Sequence, residues 1–495
     1  MPPTEGSGSA RRSPDRREGF APPTRVDTTQ LAVVGAGPGG YVAAFKAADL
    51  GLDVTLIDLD VNLGGVCLNR GCIPSKALLH VARLLDEARE ASAWGVSFAE
   101  PEIDLDALRS FKDRVVARMT GGLDQLAKAR KVTCIQGRAT LTGANGLTVE
   151  ESGGGTRQLQ FEHAIVATGS RPTVLPAFDI GSDRIVDSTG ALELADVPAT
   201  MLVVGGGIIG MELGSVYAAL GTRVSVVEMM PGIIPPADRD LVRPLQARLD
   251  KRLESIMVNT KVTGVAEVDG GVHVTFEDSA GVESTGTYDR LLLSIGRRPN
   301  SEDLGLENTA VAVDERGFIQ VDHQRRTAEP SIFAIGDVIG SALAHTASAE
   351  GAVAAEVIAG HRVAFEPNAI PGVVYTDPEI AWCGLTEDEA KEEGRTVKVA
   401  RFPWAASGRA TTMDRNEGLT KLIIDPETER VLGMGIVGIG AGDMISEGVL
   451  AVEMAALARD VALSIHPHPT LSETVMEAAE VFYHSSPHLY SPPKT

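Results

Sequence analysis

Two stretches of the chain share one pattern of apolar and polar positions. LAVVGAGPGGYVAAFKAADLGLDVTLID (31–58) and MLVVGGGIIGMELGSVYAALGTRVSVVE (201–228) each open on four apolar residues, the run expected of a strand buried in a parallel sheet. Each continues with Gly-x-Gly-x-x-Gly, an apolar stretch compatible with a helix, a turn glycine (Gly51, Gly221) and a second apolar strand closing on an acid. Asp58 lies 23 residues after Gly35, and Glu228 lies 23 after Gly205. Farther on the pattern changes. VVYTDPEIAWCGLT (373–386) and TKLIIDPETERVLGMGIVG (420–438) read as strands turning at Asp-Pro. Thr386-x-x-Glu389 caps a helix, Thr470-x-x-Glu473 is a capping box before ETVMEAAEVF (473–482), and 443–459 read as an amphipathic helix. Strands and helices without a glycine fingerprint suit an α+β module.

The prediction is an α/β chain: two Rossmann-like dinucleotide-binding domains plus a C-terminal α+β domain. A length of 495 residues fits three or four domains at about 150 residues each. We divide it into a disordered tail (1–28), a first dinucleotide domain (29–173), a second (174–298), a return segment completing the first site (299–368) and the C-terminal module (369–495). Residues 1–28 mix Pro, Gly, Ser and charge without apolar periodicity. Their Arg-Arg pairs are followed by no apolar stretch, which argues against targeting.

The glycine spacing has a physical reading. The first glycine makes a tight turn, the second lets the backbone approach a pyrophosphate, and the third brings helix and strand close, so that free N–H groups meet the anion. Gly35, Gly37, Gly40 and Asp58 form one such set; Gly205, Gly207, Gly210 and Glu228 form the other. The acids accept hydrogen bonds from ribose hydroxyls. A carboxylate at 228 repels a 2′-phosphate, and no Arg stands in VVEMMPG, so NAD is favoured over NADP there.

A formal charge of −22 argues against a nucleic-acid partner, and no apolar run approaches the roughly 20 residues of a membrane helix. Four cysteines in this length make no disulfide framework and point to a reducing, cytoplasmic setting. Two of them are close: GGVCLNRGCIPSKALL (64–79) holds Cys67 and Cys72. In a regular helix residues five apart lie about 8–9 Å apart at Cα, beyond the roughly 7 Å a disulfide spans. Gly71 and Pro74 offer the irregular turn a bridge would need. The residues alone leave three readings open: a redox pair, inert thiols, or half of a metal site completed by His466 and His468. Cys134 and Cys383 sit in strand-like apolar surroundings and read as packing residues.

GGVCLNRGCIPSKALL, GGGIIGMELGSVY, FAIGDV, FPWAASGRA and HPHPTLSE together resemble the pyridine nucleotide–disulfide oxidoreductases, and within them the branch acting on dihydrolipoyl groups. The likeness runs from about residue 30 to 485. It implies a glutathione reductase-like fold, FAD in the first unit, NAD in the second, a homodimer, and a redox-active Cys67–Cys72 disulfide. It implies that Asp337 of TAEPSIFAIGD (327–337) accepts from the flavin's ribityl chain, and that Thr168 and Gly169 of ATGSRP lie where the chain crosses between domains. Lys76 and Glu212 match a pair beside the flavin ring. His468 matches the acid–base residue, oriented by Glu473 and reaching the other subunit. Glu473 thus has two claims on it, ring partner and helix cap. Thr346 stands where related enzymes often carry Lys after the His, a departure among the local flavin contacts. The implied activity is oxidation of dihydrolipoyl groups, carried on acyltransferase or carrier proteins of 2-oxo acid dehydrogenase or glycine cleavage complexes, with NAD as acceptor. The rivals are a glutathione-type disulfide reductase and a flavin-binding scaffold without turnover.

Overall fold

A computed structural model describes residues 26–490. The first sheet comprises β1 (Val26–Val34), β2 (Val54–Asp58), β3 (Thr133–Gly143), β4 (Gly146–Glu151) and β5 (Thr156–Val166), with Ile332–Ala334 returning from far along the chain as a sixth strand. β1 pairs in parallel with both β2 and β5, so its apolar run Leu31–Val34 is enclosed on both faces. Helices α1 (Pro38–Asp49), α2 (Gly65–Arg70), α3 (Cys72–Glu90) and α4 (Leu105–Ala129) belong to this unit, and Ala344–Ile358 packs into the same core.

β1 begins earlier than composition suggested. Residues 26–28, assigned to the tail, pair with Gln158, Leu159 and Gln160 of β5, and Asp27 meets Arg157 at 2.7 Å. The polar run VDTT carries no apolar alternation; its partner strand, not its own pattern, makes it a strand. The remainder of the expected tail, 1–25, lies outside the described residues.

The second sheet has Thr200–Val204 at its centre, flanked in parallel by Arg223–Val227 and Arg290–Leu293. A three-stranded antiparallel sheet (Thr260–Val268, Gly271–Asp278, Glu283–Tyr288) packs on it through Val272, Val274 and Phe276. The chain leaves the first unit through Ser170–Pro172 and returns through Arg297–Pro299, which pair antiparallel as one ribbon. The C-terminal sheet is antiparallel, in the order Gly372–Val374, Glu379–Gly384, Val431–Gly438, Leu419–Ile424, Lys398–Pro403. Helices Ala441–Glu453 and Glu473–Phe482 pack on it, burying Ile445, Val475 and Ala478. The cap at Thr386 forms in both directions with Glu389.

The amphipathic helix expected over 443–459 stops at Glu453. Ala455 turns left-handed at φ 50°, and the backbone of 456–458 bonds to Val431 and Glu429 at the sheet edge before a short helix, Ala458–Leu463, resumes. The apolar period runs through the break because both helices face the same core.

Buried ion pairs join the units. Lys421 is wholly buried, with its Nζ 2.7 Å from Asp238, 2.7 Å from Asp240 and 2.6 Å from Glu387. Asp240 opens helix Arg239–Arg252 of the second unit, and Arg401 reaches both Asp240 and Glu387. The cluster of three carboxylates has metal-like spacing, yet the lysine ammonium occupies it. Replacing Lys421 with Met strands those carboxylates without their buried cation. We expect a loss of about 3–5 kcal/mol in urea unfolding followed by tryptophan fluorescence; an unchanged midpoint would mean that Arg401 alone satisfies them.

Candidate active site

The two glycine turns are built alike. Gly35 has φ +105°, and a Cβ there would lie 2.2 Å from the Ala167 carbonyl; one at Gly40 would lie 1.8 Å from the Gly35 carbonyl. Gly205 (φ +107°) and Gly210 repeat this against Ser294 and Gly205. At Gly37 and Gly207, which cap α1 and Ile208–Leu220, an added Cβ would meet nothing within 4 Å. Sterics thus close the first and third positions while the second leaves open ground at a helix N-terminus, a cradle fitting a dinucleotide pyrophosphate.

The paired acids are fixed by their own loops. Asp58 accepts the Ala36 N–H on one oxygen and the Asp60 N–H, at 2.8 Å, on the other. Glu228 accepts the Gly206 N–H at 2.6 Å and the Met230 N–H at 2.7 Å. Each oxygen keeps a second lone pair for a ribose hydroxyl. Burial raises the Asp58 carboxyl above its ordinary pKa, against two backbone hydrogen bonds.

Asp337 accepts a hydrogen bond from Ser170 Oγ, with Arg297 at 3.9 Å. Its turn, Gly336–Ile339, is held from beneath by Glu350, which is wholly buried. Glu350 accepts the Gly336 N–H at 2.7 Å and the Ser341 hydroxyl at 2.6 Å, and Arg325 lies at 3.3 Å. Thr168 and Gly169 are clasped by Asn300, whose amide N–H₂ donates to the Thr168 carbonyl at 2.9 Å and whose backbone N–H donates to Gly169. Thr346 is buried, and its hydroxyl has no hydrogen-bond partner among the described residues.

Between the cradles lie the cysteines. α2 ends at Arg70, Gly71 breaks the path at φ −143°, ψ −107°, and α3 starts at Cys72. A Cβ on Gly71 would sit 2.9 Å from the Val66 carbonyl and 3.3 Å from Cys67 Cα, so the reversal is tight enough to demand glycine. Both thiols are free and hydrogen-bonded to each other. That bond, with help from Lys76 and against burial, lowers Cys72 to about 7, and it raises Cys67. The dithiol therefore keeps its proton on Cys67 and carries thiolate character on Cys72 at neutral pH. Neither thiol belongs to a metal-spaced group among the described residues.

Lys76 follows Cys72 by one turn of α3. Its Nζ lies 2.7 Å from Glu212 Oε2, and the other Glu212 oxygen accepts the Tyr375 N–H at 3.0 Å. The Lys76–Glu212 pair expected beside the flavin is present, and it ties the second unit to the cysteine helix.

His468 Nδ1 is 2.8 Å from Glu473 Oε1, while Glu473 Oε2 accepts the Thr470 N–H at 2.8 Å. The two expected roles of Glu473 do not compete, because each takes one oxygen. Thr470 Oγ1 bonds to the Pro467 carbonyl, so only the glutamate half of the capping box forms. Burial opposes, but the Thr470 N–H and His468 together hold the Glu473 carboxyl below its ordinary pKa. His468 is 76 % exposed, and Leu463 and Ile465 shortly before it in the chain are exposed too. His466 is half-buried, its ring held by Glu447 at 2.8 Å and the Ser464 carbonyl, and it braces the loop.

Cys383 is buried and pushed up to about 12 by burial, the packing role foreseen for it. Cys134 is exposed near the start of β3, contrary to that expectation, because this end of the strand lies at the sheet margin. Ser170, Asn300, Glu350 and Tyr375 were not singled out from sequence. Only Glu350 left a signal, a lone acid in the apolar face ASAEGAVAA.

The pyridine nucleotide-disulphide oxidoreductase family model matches residues 29–351, and the family's dimerisation domain matches 370–479. The dihydrolipoyl dehydrogenase of Haemophilus influenzae is 51% identical over 455 residues, covering 92% of this chain and 95% of that one. The dihydrolipoyl dehydrogenase of Geobacillus stearothermophilus is 46% identical, with 92% and 96% covered. Among solved structures, LpdA from Mycobacterium tuberculosis matches at TM-score 0.85 and 26% identity, covering 92% of this chain and 99% of that one. The HOCl-induced flavoprotein disulfide reductase RclA from Escherichia coli, a Cu(II) complex, matches at 0.81 and 27%, with the same coverage.

The lowered Cys72 gives a direct test. Lys76→Met removes the cation favouring the thiolate, so the Cys72 midpoint should climb from about 7 toward the ordinary thiol value. Iodoacetamide modification of Cys72 at neutral pH should then slow several-fold; an unmoved pH profile would show that the Cys67 hydrogen bond alone sets it.

Proposed function

The chain belongs to the pyridine nucleotide-disulphide oxidoreductases, and on that premise we propose that it oxidises dihydrolipoyl groups to lipoyl groups, with NAD+ as final acceptor. It is an oxidoreductase using FAD and a nicotinamide dinucleotide, and its dimerisation domain makes it a homodimer. The observation that carries the reading is the Cys67–Cys72 pair, folded together by the tight Gly71 reversal at the head of α3, with Lys76 one turn on and paired to Glu212. The high identity to dihydrolipoyl dehydrogenases supports the substrate. The lipoyl groups reach the site on acyltransferase or carrier proteins, in the cytoplasm, where thiol chemistry of this kind is maintained; no described helix is long and apolar enough to cross a membrane.

The residues divide the work. Gly35, Gly37, Gly40, Asp58, Thr168, Gly169 and Asp337 would hold FAD, and Gly205, Gly207, Gly210 and Glu228 would hold NAD. Bound FAD supplies the two-electron relay between thiols and nicotinamide. In the exchange, His468 of one protomer takes the proton of a dihydrolipoyl thiol, with Glu473 fixing its ring. The resulting thiolate attacks Cys67 in the oxidised pair of the other protomer. The Cys67–Cys72 bond breaks and Cys72 departs as thiolate beside Lys76. His468 releases that first proton to solvent and takes the proton of the second dihydrolipoyl thiol as this sulfur closes on the first; Cys67 departs and takes this second proton from His468, and a solvent proton completes Cys72. Two dihydrolipoyl thiols become one disulfide, and one protein disulfide becomes two thiols, so atoms and electrons balance.

Sharing the site between protomers has a test. Cys67→Ser and His468→Gln should each abolish most turnover, the histidine variant by about 10²–10⁴-fold. Mixing the two by unfolding and reassociation should restore about a quarter of wild-type sites, since half the dimers then hold one intact pair. No recovery would place both residues' chemistry within one chain. Dihydrolipoamide with NAD+ should far outpace glutathione or NADP+; equal rates with NADP+ would overturn the reading of Glu228.

A further inference from the structure

We infer that Tyr375 is a positioning residue for the thiol site: its ring, delivered from the C-terminal unit, holds the Lys76 ammonium in place beside Cys72. The inference rests on the proposed role of Cys67 and Cys72 as the exchanging pair. Lys76 carries its charge on a flexible four-carbon stem, which explores many positions unless something fixes it. Two contacts do so. Glu212 Oε2 takes the ammonium at 2.7 Å, and the Tyr375 ring centroid lies 4.5 Å from Nζ, within the range at which an aromatic face attracts a cation.

The two contacts differ in what Cys72 feels. A carboxylate beside the ammonium opposes it, and Glu212 raises Cys72 where Lys76 lowers it. An aromatic face fixes the ammonium without adding a net negative charge. The ring therefore supplies position while leaving the field of Lys76 intact. Tyr375 also ties down the competing carboxylate, since its N–H donates to Glu212 Oε1 at 3.0 Å. The segment delivering the ring is itself braced: Asp377, two residues on, is held by Arg248 at 2.7 Å and by Arg415.

The charged and titratable groups around this point are Cys67 from α2, Lys76 from α3, Glu212 from Ile208–Leu220, Glu379 from the strand after Tyr375, and Asp443 from Ala441–Glu453. Lys76 is the cation among them. Burial, Glu379 and Glu212 raise the Tyr375 phenol above its ordinary value, so the ring presents a neutral face throughout the neutral range.

The test uses holoenzyme reduced with dithiothreitol and alkylated with iodoacetamide between about pH 5 and 9, with Cys72 modification read by peptide mass. Tyr375→Leu should move the Cys72 midpoint upward by about half a pH unit, slowing modification below the midpoint about threefold. Tyr375→Phe keeps the ring and should reproduce the wild-type profile. An unmoved midpoint in Tyr375→Leu, or a Tyr375→Phe midpoint displaced equally, overturns the inference. If Tyr375→Leu does not fold, Tyr375→Met repeats the measurement with a flexible filler and is judged by the same two outcomes. Because dithiothreitol replaces the natural reductant, a midpoint that moves while dihydrolipoamide is not turned over refutes the substrate reading and upholds the role of Tyr375.

Discussion

The Lys76–Glu212 ion pair is where the three parts of the chain meet. Lys76 stands on the cysteine helix, Glu212 on the helix that opens the second dinucleotide cradle, and Glu212's remaining oxygen binds the backbone of a segment from the C-terminal unit. Glu212 is almost fully buried, so its charge is satisfied by these partners rather than by water. A partly buried pair of this kind is worth little as a source of stability, because desolvation offsets attraction. Its value is geometric. Once the pair is made, the thiols, the second nucleotide site and the dimer-forming sheet cannot shift independently.

The same device recurs at the other joints. Lys421 locks the start of helix Arg239–Arg252 to the C-terminal sheet, while Arg248 and Arg252 of that helix reach Glu90 and Asp86 at the far end of α3. One helix of the second unit thus grips both the cysteine helix and the C-terminal module. Within the first unit, Glu350 does for the Asp337 turn what these pairs do between units, holding backbone with a buried carboxylate. Apolar burial builds each sheet and also joins the units, in one core shared by Leu78, Met201, Leu241 and Val437, while buried charge fixes the points at which they meet.

What could be read from the sequence follows from this division. The two glycine turns were legible because three glycines at fixed short spacing mark such a turn wherever it packs: Gly40 closes on Gly35 five residues earlier, although the carbonyl that crowds Gly35 belongs to distant Ala167. The His468–Glu473 pair came from the resemblance; the residues alone pointed to Glu473 as a helix cap, and the structure shows both bonds. Tyr375, Asn300 and Ser170 were not legible, because each earns its contact from a residue more than 125 positions away in the chain. The strand at Val26–Thr28 and the helix break at Ala455 were missed on similar grounds. In both, a distant backbone partner overrides a local pattern that points elsewhere.

Glu473 shows what such double service leaves behind. Its two oxygens receive hydrogens from opposite sides, one from an imidazole and one from a peptide. Glutamine can meet both partners only by donating to Nδ1, which moves the ring hydrogen to Nε2 and removes the free nitrogen that would take a thiol proton, and aspartate is a methylene too short to span both. The alphabet available at this position therefore has a single letter.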